Sequence, residues 1–165
     1  MTVRIKKTEK VYESKFVNLF NSTYIDNNNK EKNWLYVSRR KKPHTYKFSD
    51  FDVVRIAPVL DGQLVLIKEF RIPLNTWVLS FPAGCVDEND TLKDVVEREV
   101  MEEVGLTVDK YNILTHPLAL SAGITTETCL FVWAECSGTL SNKFNEPSEF
   151  IVMFDKFPVP AVNII

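Results

Sequence analysis

Gly84-Cys85-Val86-Asp87-Glu88-Asn89-Asp90-Thr91-Leu92-Lys93-Asp94-Val95-Val96-Glu97-Arg98-Glu99-Val100-Met101-Glu102-Glu103-Val104-Gly105-Leu106 is the stretch on which the reading of this chain turns. Thr91 with Asp94 three residues on forms a capping box, and Gly105 supplies a left-handed stop, so the pattern predicts a helix from about Leu92 to Val104. At 100° per residue, Leu92, Val95 and Val96 make an apolar stripe, and Glu99, Glu102 and Glu103 continue almost the same stripe in the last turns. The face expected to be buried therefore turns acidic. Carboxylates at i, i+3 and i+4 repel one another, and the helix C-terminus disfavours negative charge by roughly 0.3–1 kcal/mol each. A hard cation with oxygen ligands suits such a cluster, because Mg²⁺ is commonly held by one or two carboxylates, bound water and phosphate. A solvated acidic helix end is the other reading of the same residues.

The spacing around the helix decides between them. From Gly84 come five residues, acidic Asp90, seven residues, Arg98-Glu99, apolar Val100, one residue, Glu102-Glu103, one residue, then Gly105 and Leu106. This resembles the Nudix box along its whole length, and so many fixed positions at fixed intervals leave chance a poor explanation. The resemblance implies an α/β class, the Nudix fold, an α/β/α sandwich built on a mixed sheet. It further implies that Glu99 and Glu103 ligate metal directly, that Glu102 does so directly or through water and takes part in catalysis, that the Ala83 carbonyl completes a site, and that Arg98 orients the ligands. Gly84 opens the box beside the substrate. The metal implied is Mg²⁺, with Mn²⁺ as its substitute. Asp90 departs from the family's glutamate by one methylene, which puts its support of Arg98 in question.

Outward from the box, Glu69-Phe70-Arg71-Ile72-Pro73 and Phe81-Pro82-Ala83-Gly84 resemble the segments that precede it in the ADP-ribose pyrophosphatase branch. Ser121-Ala122-Gly123-Ile124-Thr125-Thr126-Glu127 resembles that branch's loop ending in a catalytic glutamate, which makes Glu127 the expected general base. Ser80 and Ala122 depart from the branch's usual glutamate and proline, and no proline stands about sixteen residues beyond the box. Arg71 reads either as a substrate contact through its planar fork or as a surface ion pair. Trp34, in Lys32-Asn33-Trp34-Leu35, reads either as a platform for adenine, as the branch implies, or as a core tryptophan.

Strand patterns fill the remainder. Residues 9–48 suggest a hairpin or meander, with an apolar run Phe16–Ile25, the turn cluster Asp26-Asn27-Asn28-Asn29, and Trp34-Leu35-Tyr36-Val37. Val53–Leu60 and Leu64–Phe70 flank Asp61-Gly62, a dipeptide suited to a tight hairpin turn. Further strands are expected at Thr76–Phe81, Tyr111–Leu120, Thr128–Ala134 and Glu149–Phe154. The tail beyond, with Pro158 and Pro160, leaves little room for a second helix. Residues 1–48 are thus expected to be an N-terminal β-segment that covers substrate and makes the homodimer implied by the branch, and 49–165 the hydrolase domain.

With 165 residues the chain has enough length for one ordinary domain and a short accessory segment. A net charge of -2 gives no general attraction for nucleic acid, and the run Arg39-Arg40-Lys41-Lys42 reads as a solvated strand end. No apolar run suggests a membrane span or signal peptide. Cys85, Cys129 and Cys136 lack zinc spacing, and their odd number points to reduced thiols, hence to the cytoplasm. The function expected is Mg²⁺-dependent hydrolysis of a nucleoside diphosphate linked to another group, ADP-ribose to AMP and ribose 5-phosphate first. A nucleotide sugar, a dinucleotide or a capped RNA end keeps the same chemistry. A catalytically silent nucleotide sensor or scaffold is the alternative of another kind.

Overall fold

The computed structural model describes residues 4–44, 50–145 and 150–158. In chain order the strands are β1 (Arg4–Glu13), β2 (Asn18–Ile25), β3 (Glu31–Ser38), β4 (Val53–Leu60), β5 (Gln63–Arg71), β6 (Thr76–Ser80), β7 (Ala83–Cys85), β8 (Thr107–Ile113), β9 (Leu118–Ala119), β10 (Thr128–Ser137) and β11 (Ile151–Pro158). A 3-10 turn at Ile72–Leu74 follows β5, and α1 (Leu92–Val104) is the one α-helix among the described residues. The chain divides into two compact units, Met1–Asp52 with Pro117–Cys129, and Val53–His116 with Leu130–Ile165. This division by packing differs from a cut after residue 48 in placing Pro117–Cys129 with the N-terminal strands. Residues 45–49 lie outside the described residues.

The first unit is a three-stranded antiparallel meander in the order β1-β2-β3, together with β9 and the loop that follows it. Asp26 builds the β2–β3 turn, its Oδ1 accepting the Asn28 and Lys30 amides at 2.9 and 2.8 Å while Asn29 takes a positive φ of 58°. Phe20 on β2 is 1% exposed and stacks on Tyr36 of β3 at 5.5 Å. The sequence reading expected the second and third strands and missed most of β1. Bulges between Ile5 and Lys7 and between Lys10 and Tyr12 break its alternation, and its residues are almost all exposed, so Arg4-Ile5-Lys6-Lys7 carries no period-two signal. After β9, the segment 120–128 runs beside the end of β3. The Val37 amide donates to the Ile124 carbonyl (2.8 Å), the Thr126 amide to the Val37 carbonyl (3.1 Å), and Val37 and Thr125 form a parallel bridge.

In the second unit the strand order is β11-β5-β4-β10-β8, with β6 added to β5 and β7 to β4. Asp61 and Gly62 turn β4 into β5 with φ values of 53° and 72°, as a two-residue hairpin requires. The strand expected over Tyr111–Leu120 is instead two pieces, β8 ending at Ile113 and β9 starting at Leu118. Between them Leu114-Thr115-His116-Pro117 turns, and Pro117 brings no amide to a ladder. The last strand, expected from Glu149, runs from Ile151 to Pro158 along β5, and Glu149 lies outside the described residues.

Helix α1 has the predicted bounds. Thr91 accepts the Asp94 amide at 3.2 Å, Asp94 accepts the Thr91 amide at 3.0 Å, and Gly105 closes the helix at φ 71°, donating to the Met101 carbonyl at 3.0 Å. Val95, Val96, Val100 and Val104 are fully buried with Val54, Ile56, Val132 and Leu106. The Thr91 hydroxyl, then its amide, holds the Asp94 carboxyl below the usual aspartate range. The folded value is depressed, so this contribution to stability is complete above the ordinary aspartate range and fades as pH falls through the folded value. Thr91→Ala is expected to cost about 1 kcal/mol in urea denaturation at neutral pH. An unchanged midpoint would show that packing alone sets the start of α1.

Candidate active site

Packing the apolar face of α1 carries its acidic continuation inward. Glu99 and Glu103 are 6% and 4% exposed, whereas Glu102, one position off the stripe, keeps a third of its side chain exposed. None of the last-turn residues is basic, so the helix's own sequence supplies no cation against the dipole there. Arg98 reaches in from the preceding turn. Its Nη2 lies 3.2 Å from Glu99 Oε1, its Nε is 4.0 Å from Glu102 Oε2, and Nη2 also donates to the Cys85 carbonyl at 3.2 Å.

Asp90 makes the support that its shorter side chain put in question. Its Oδ2 accepts Arg98 Nη1 at 2.9 Å, and a turn of Asp87 to Asp90 brings it close, with the Asp90 amide on the Asp87 carbonyl (3.1 Å) and the Asp87 amide on Asp90 Oδ2 (3.2 Å). The loop thereby makes up the missing methylene. Hydrogen bonding from Arg98, then from the Asp87 amide, lowers the Asp90 pKa, and the same bond to Asp90 raises that of Arg98. Both groups stay charged and Arg98 stays aimed at Glu99.

The strand β7 forms the opposite wall. Ala83, Gly84, Cys85 and Asp87 line, with Arg98, Glu99 and Glu102, a recess of about 430 Å³. Ala83 enters by its amide, which donates to Glu103 Oε2 at 3.2 Å. At Gly84 a Cβ would fall inside the Glu99 carboxylate, so only glycine lets that carboxylate lie against the strand. Of the predicted site residues, Ala83, Gly84, Arg98, Glu99 and Glu102 thus line one recess, and Glu103 adjoins it through the Ala83 amide.

Among the described residues no three acidic, histidine or cysteine side chains converge as a ready-made metal cage. The donor set still fits Mg²⁺, which takes few protein oxygens and completes its shell with water and phosphate. Buried Glu99 and partly exposed Glu102 line that polar recess, and buried Glu103 meets the Ala83 amide at its wall, so the helix supplies oxygen ligands of that kind.

The remaining predicted residues lie elsewhere. Arg71 belongs to the same unit but pairs with the buried Glu69 carboxylate at 2.8 Å, the ion-pair reading of this residue. Trp34 and Glu127 belong to the first unit. Trp34 is half exposed rather than a core residue, its indole N–H donating to the Gly123 carbonyl at 2.9 Å. It edges a recess of about 220 Å³ with Tyr36, Arg40, His44, Thr125 and Thr126, among others. Glu127 forms an ion pair with Arg39, and Arg40, mostly buried, bridges Asp50 and Asp52 at 3.0 and 3.4 Å. Within the basic run Arg40 is therefore no solvated charge, while Arg39 stays exposed and ion-paired. Their acidic partners sit 10 to 88 positions away, beyond the reach of any local pattern.

Comparison with known proteins agrees with this geometry. The NUDIX domain family model matches residues 50–162. The mouse ADP-sugar pyrophosphatase is 32% identical over 106 residues, 61% of this chain and 47% of that protein. The ADP-ribose pyrophosphatase of Escherichia coli K12 is 32% identical over 97 residues, 56% of this chain and 44% of that protein. The chain thus spans less than half the length of these curated relatives. A crystal structure of an ADP compounds hydrolase superposes with a TM-score of 0.74 at 19% identity, covering 96% of this chain and 79% of that one, a likeness of fold. With its box folded as a capped helix against a glycine-opened strand, the chain belongs to the Nudix family.

Proposed function

We propose that this protein hydrolyses the diphosphate of an ADP-linked compound, ADP-ribose foremost, to AMP and ribose 5-phosphate. The observation that carries the reading is the pair of buried carboxylates, Glu99 and Glu103, at a helix terminus that offers them no cation in the last turn. The names of the relatives add the substrate class, since they share ADP joined to a second group. Glu99, Glu103 and Glu102 are the residues that would hold Mg²⁺ or Mn²⁺, with the Ala83 carbonyl beside them. Bound there, the metal neutralises the diphosphate and makes water acidic enough for a carboxylate to deprotonate.

The protein's own groups do the rest. Arg98, held by Asp90, keeps the Glu99 carboxylate oriented. Gly84 leaves the recess open toward the phosphates. Glu127 takes the proton of the attacking water, Trp34 stacks the base, and Arg71 contacts the phosphate or terminal ribose after exchanging its Glu69 partner. Exposed Val11, Tyr12 and Leu35 on the N-terminal strands support a homodimer through this segment. Cys85, Cys129 and Cys136, thiols outside any disulfide, support a cytoplasmic setting. Among the described residues no helix is long and apolar enough to cross a membrane.

The test is product analysis with and without Mg²⁺ against ADP-ribose, nucleotide sugars, dinucleotides and nucleoside triphosphates. AMP released from ADP-ribose only with Mg²⁺, ahead of the others, is the expected result. Nucleotide binding with no cleavage would replace the enzyme by a sensor. Glu127→Gln is expected to lower kcat by about two orders of magnitude or more with KM little changed. A near-parental kcat would move the base elsewhere.

A further inference from the structure

The loop carrying Glu127 is held twice, once by its backbone and once by its carboxylate. The backbone grip comes from β3, where the Val37 amide and carbonyl bond residues 124 and 126 (2.8 and 3.1 Å) and the Ser38 and Thr126 hydroxyls meet at 2.6 Å. Thr128 continues it, its amide donating to Asp52 Oδ2 at 2.9 Å. Side chains alternate along extended chains, so a register that puts Ser38 beside Thr126 on the buried side puts Arg39 beside Glu127 on the other. There Arg39 Nε donates to Glu127 Oε1, across 88 positions of sequence.

We propose that Arg39 is a positioning residue for Glu127, fixing the rotamer of the carboxylate through the contact to Oε1 so that Oε2 is the oxygen that accepts the proton from the attacking water. This rests on Glu127 being the general base. The contact is charge-assisted and aimed, which a carboxylate on a surface loop otherwise lacks. Because the backbone grip does not use the Arg39 side chain, its loss leaves the loop in place and frees the carboxylate to rotate. Arg39 is 40% exposed on its side chain, and exposed ion pairs add little to stability, so Arg39→Ala folds.

The experiment is a double-mutant cycle on the full chain with Mg²⁺ and ADP-ribose, using Arg39→Ala, Arg39→Lys, Glu127→Gln and the Arg39→Ala/Glu127→Gln double variant, with thermal melting of each. Expected are a kcat at least about tenfold lower for Arg39→Ala with KM within about threefold, partial recovery in Arg39→Lys, and a double variant no slower than Glu127→Gln alone. Losses that multiply in the double variant overturn the proposal. So does an Arg39→Ala defect confined to KM, which would make Arg39 a substrate contact. A Glu127→Gln variant with parental kcat removes the base reading itself and this proposal with it, an outcome distinct from both. Should Arg39→Ala melt early, Arg39→Lys and its double variant with Glu127→Gln decide by the same rule.

Discussion

Glu103→Gln is expected to abolish most turnover while leaving the protein as stable as before, or more so, in the absence of metal. The substitution removes one negative charge and keeps the volume. Glu103 is 4% exposed, four residues from Glu99 and in the helix turn where the dipole opposes negative charge. Relief of the like-charge pair and of the dipole is worth a few tenths to about 1 kcal/mol. The Ala83 amide, which donates to Glu103 Oε2 at 3.2 Å, keeps an acceptor in the glutamine carbonyl. Catalysis has no such compensation, because a neutral amide is a poor ligand for a hard cation. A fall in kcat of about two to four orders of magnitude follows from losing several kcal/mol of charge stabilisation. Melting in EDTA and steady-state kinetics in Mg²⁺ separate the two effects. A melting point lowered by more than about 5 °C, which for a chain of this size is more than about 1 kcal/mol, would mean that Glu103 is a structural buried acid and not a ligand.

Gly84→Ala is the second large effect, and it contrasts with a change at Gly105. Gly84 is absent from the residues with positive φ, so alanine suits its backbone. What alanine cannot share is space, since its Cβ would occupy the position of the Glu99 carboxylate. That carboxylate must swing out and leave Arg98 with Asp90 and the Cys85 carbonyl. The expected result is a loss of turnover of about a hundredfold or more with a folding cost of about 1–3 kcal/mol, typical of overpacking. At Gly105 the φ of 71° and the Ser141 backbone, 2.8 Å from an added Cβ, make alanine a folding defect at the end of α1. Titrating Mg²⁺ distinguishes them. Gly84→Ala should raise the metal concentration needed for half-maximal activity, and Gly105→Ala should lower stability first. If Gly84→Ala binds metal and turns over as the parent does, Glu99 is not a ligand from the position seen here.

The helix was legible in the sequence down to its caps because every determinant is local: Thr91 and Asp94 three apart, valines at helical spacing, Gly105 past the end. The carboxylate cluster of the candidate site was legible for the same reason, as Glu99, Glu102 and Glu103 ride on that helix and Gly84 abuts it in sequence. What escaped depends on partners far along the chain. Arg39 and Arg40 look like solvent-facing charges until Glu127, Asp50 and Asp52 arrive beside them. β1 escaped because an exposed, bulged edge strand has no buried side to impose alternation. The division of Tyr111–Leu120 into β8 and β9 was signalled by Pro117, which the apolar count outweighed. Trp34 shows the limit from the other direction, since composition alone cannot separate a core indole from a half-exposed one that hydrogen-bonds Gly123.

The N-terminal unit is built from two stretches of chain, residues 1–52 and 117–129, and β3 ends in bonds to the second of them. Anyone exchanging the N-terminal unit of this protein for another's must therefore graft both stretches together. A chimera that swapped only the first would hand the native Ser121–Thr128 loop a foreign β3, stripping Thr126 of Ser38 and Glu127 of Arg39 in one cut.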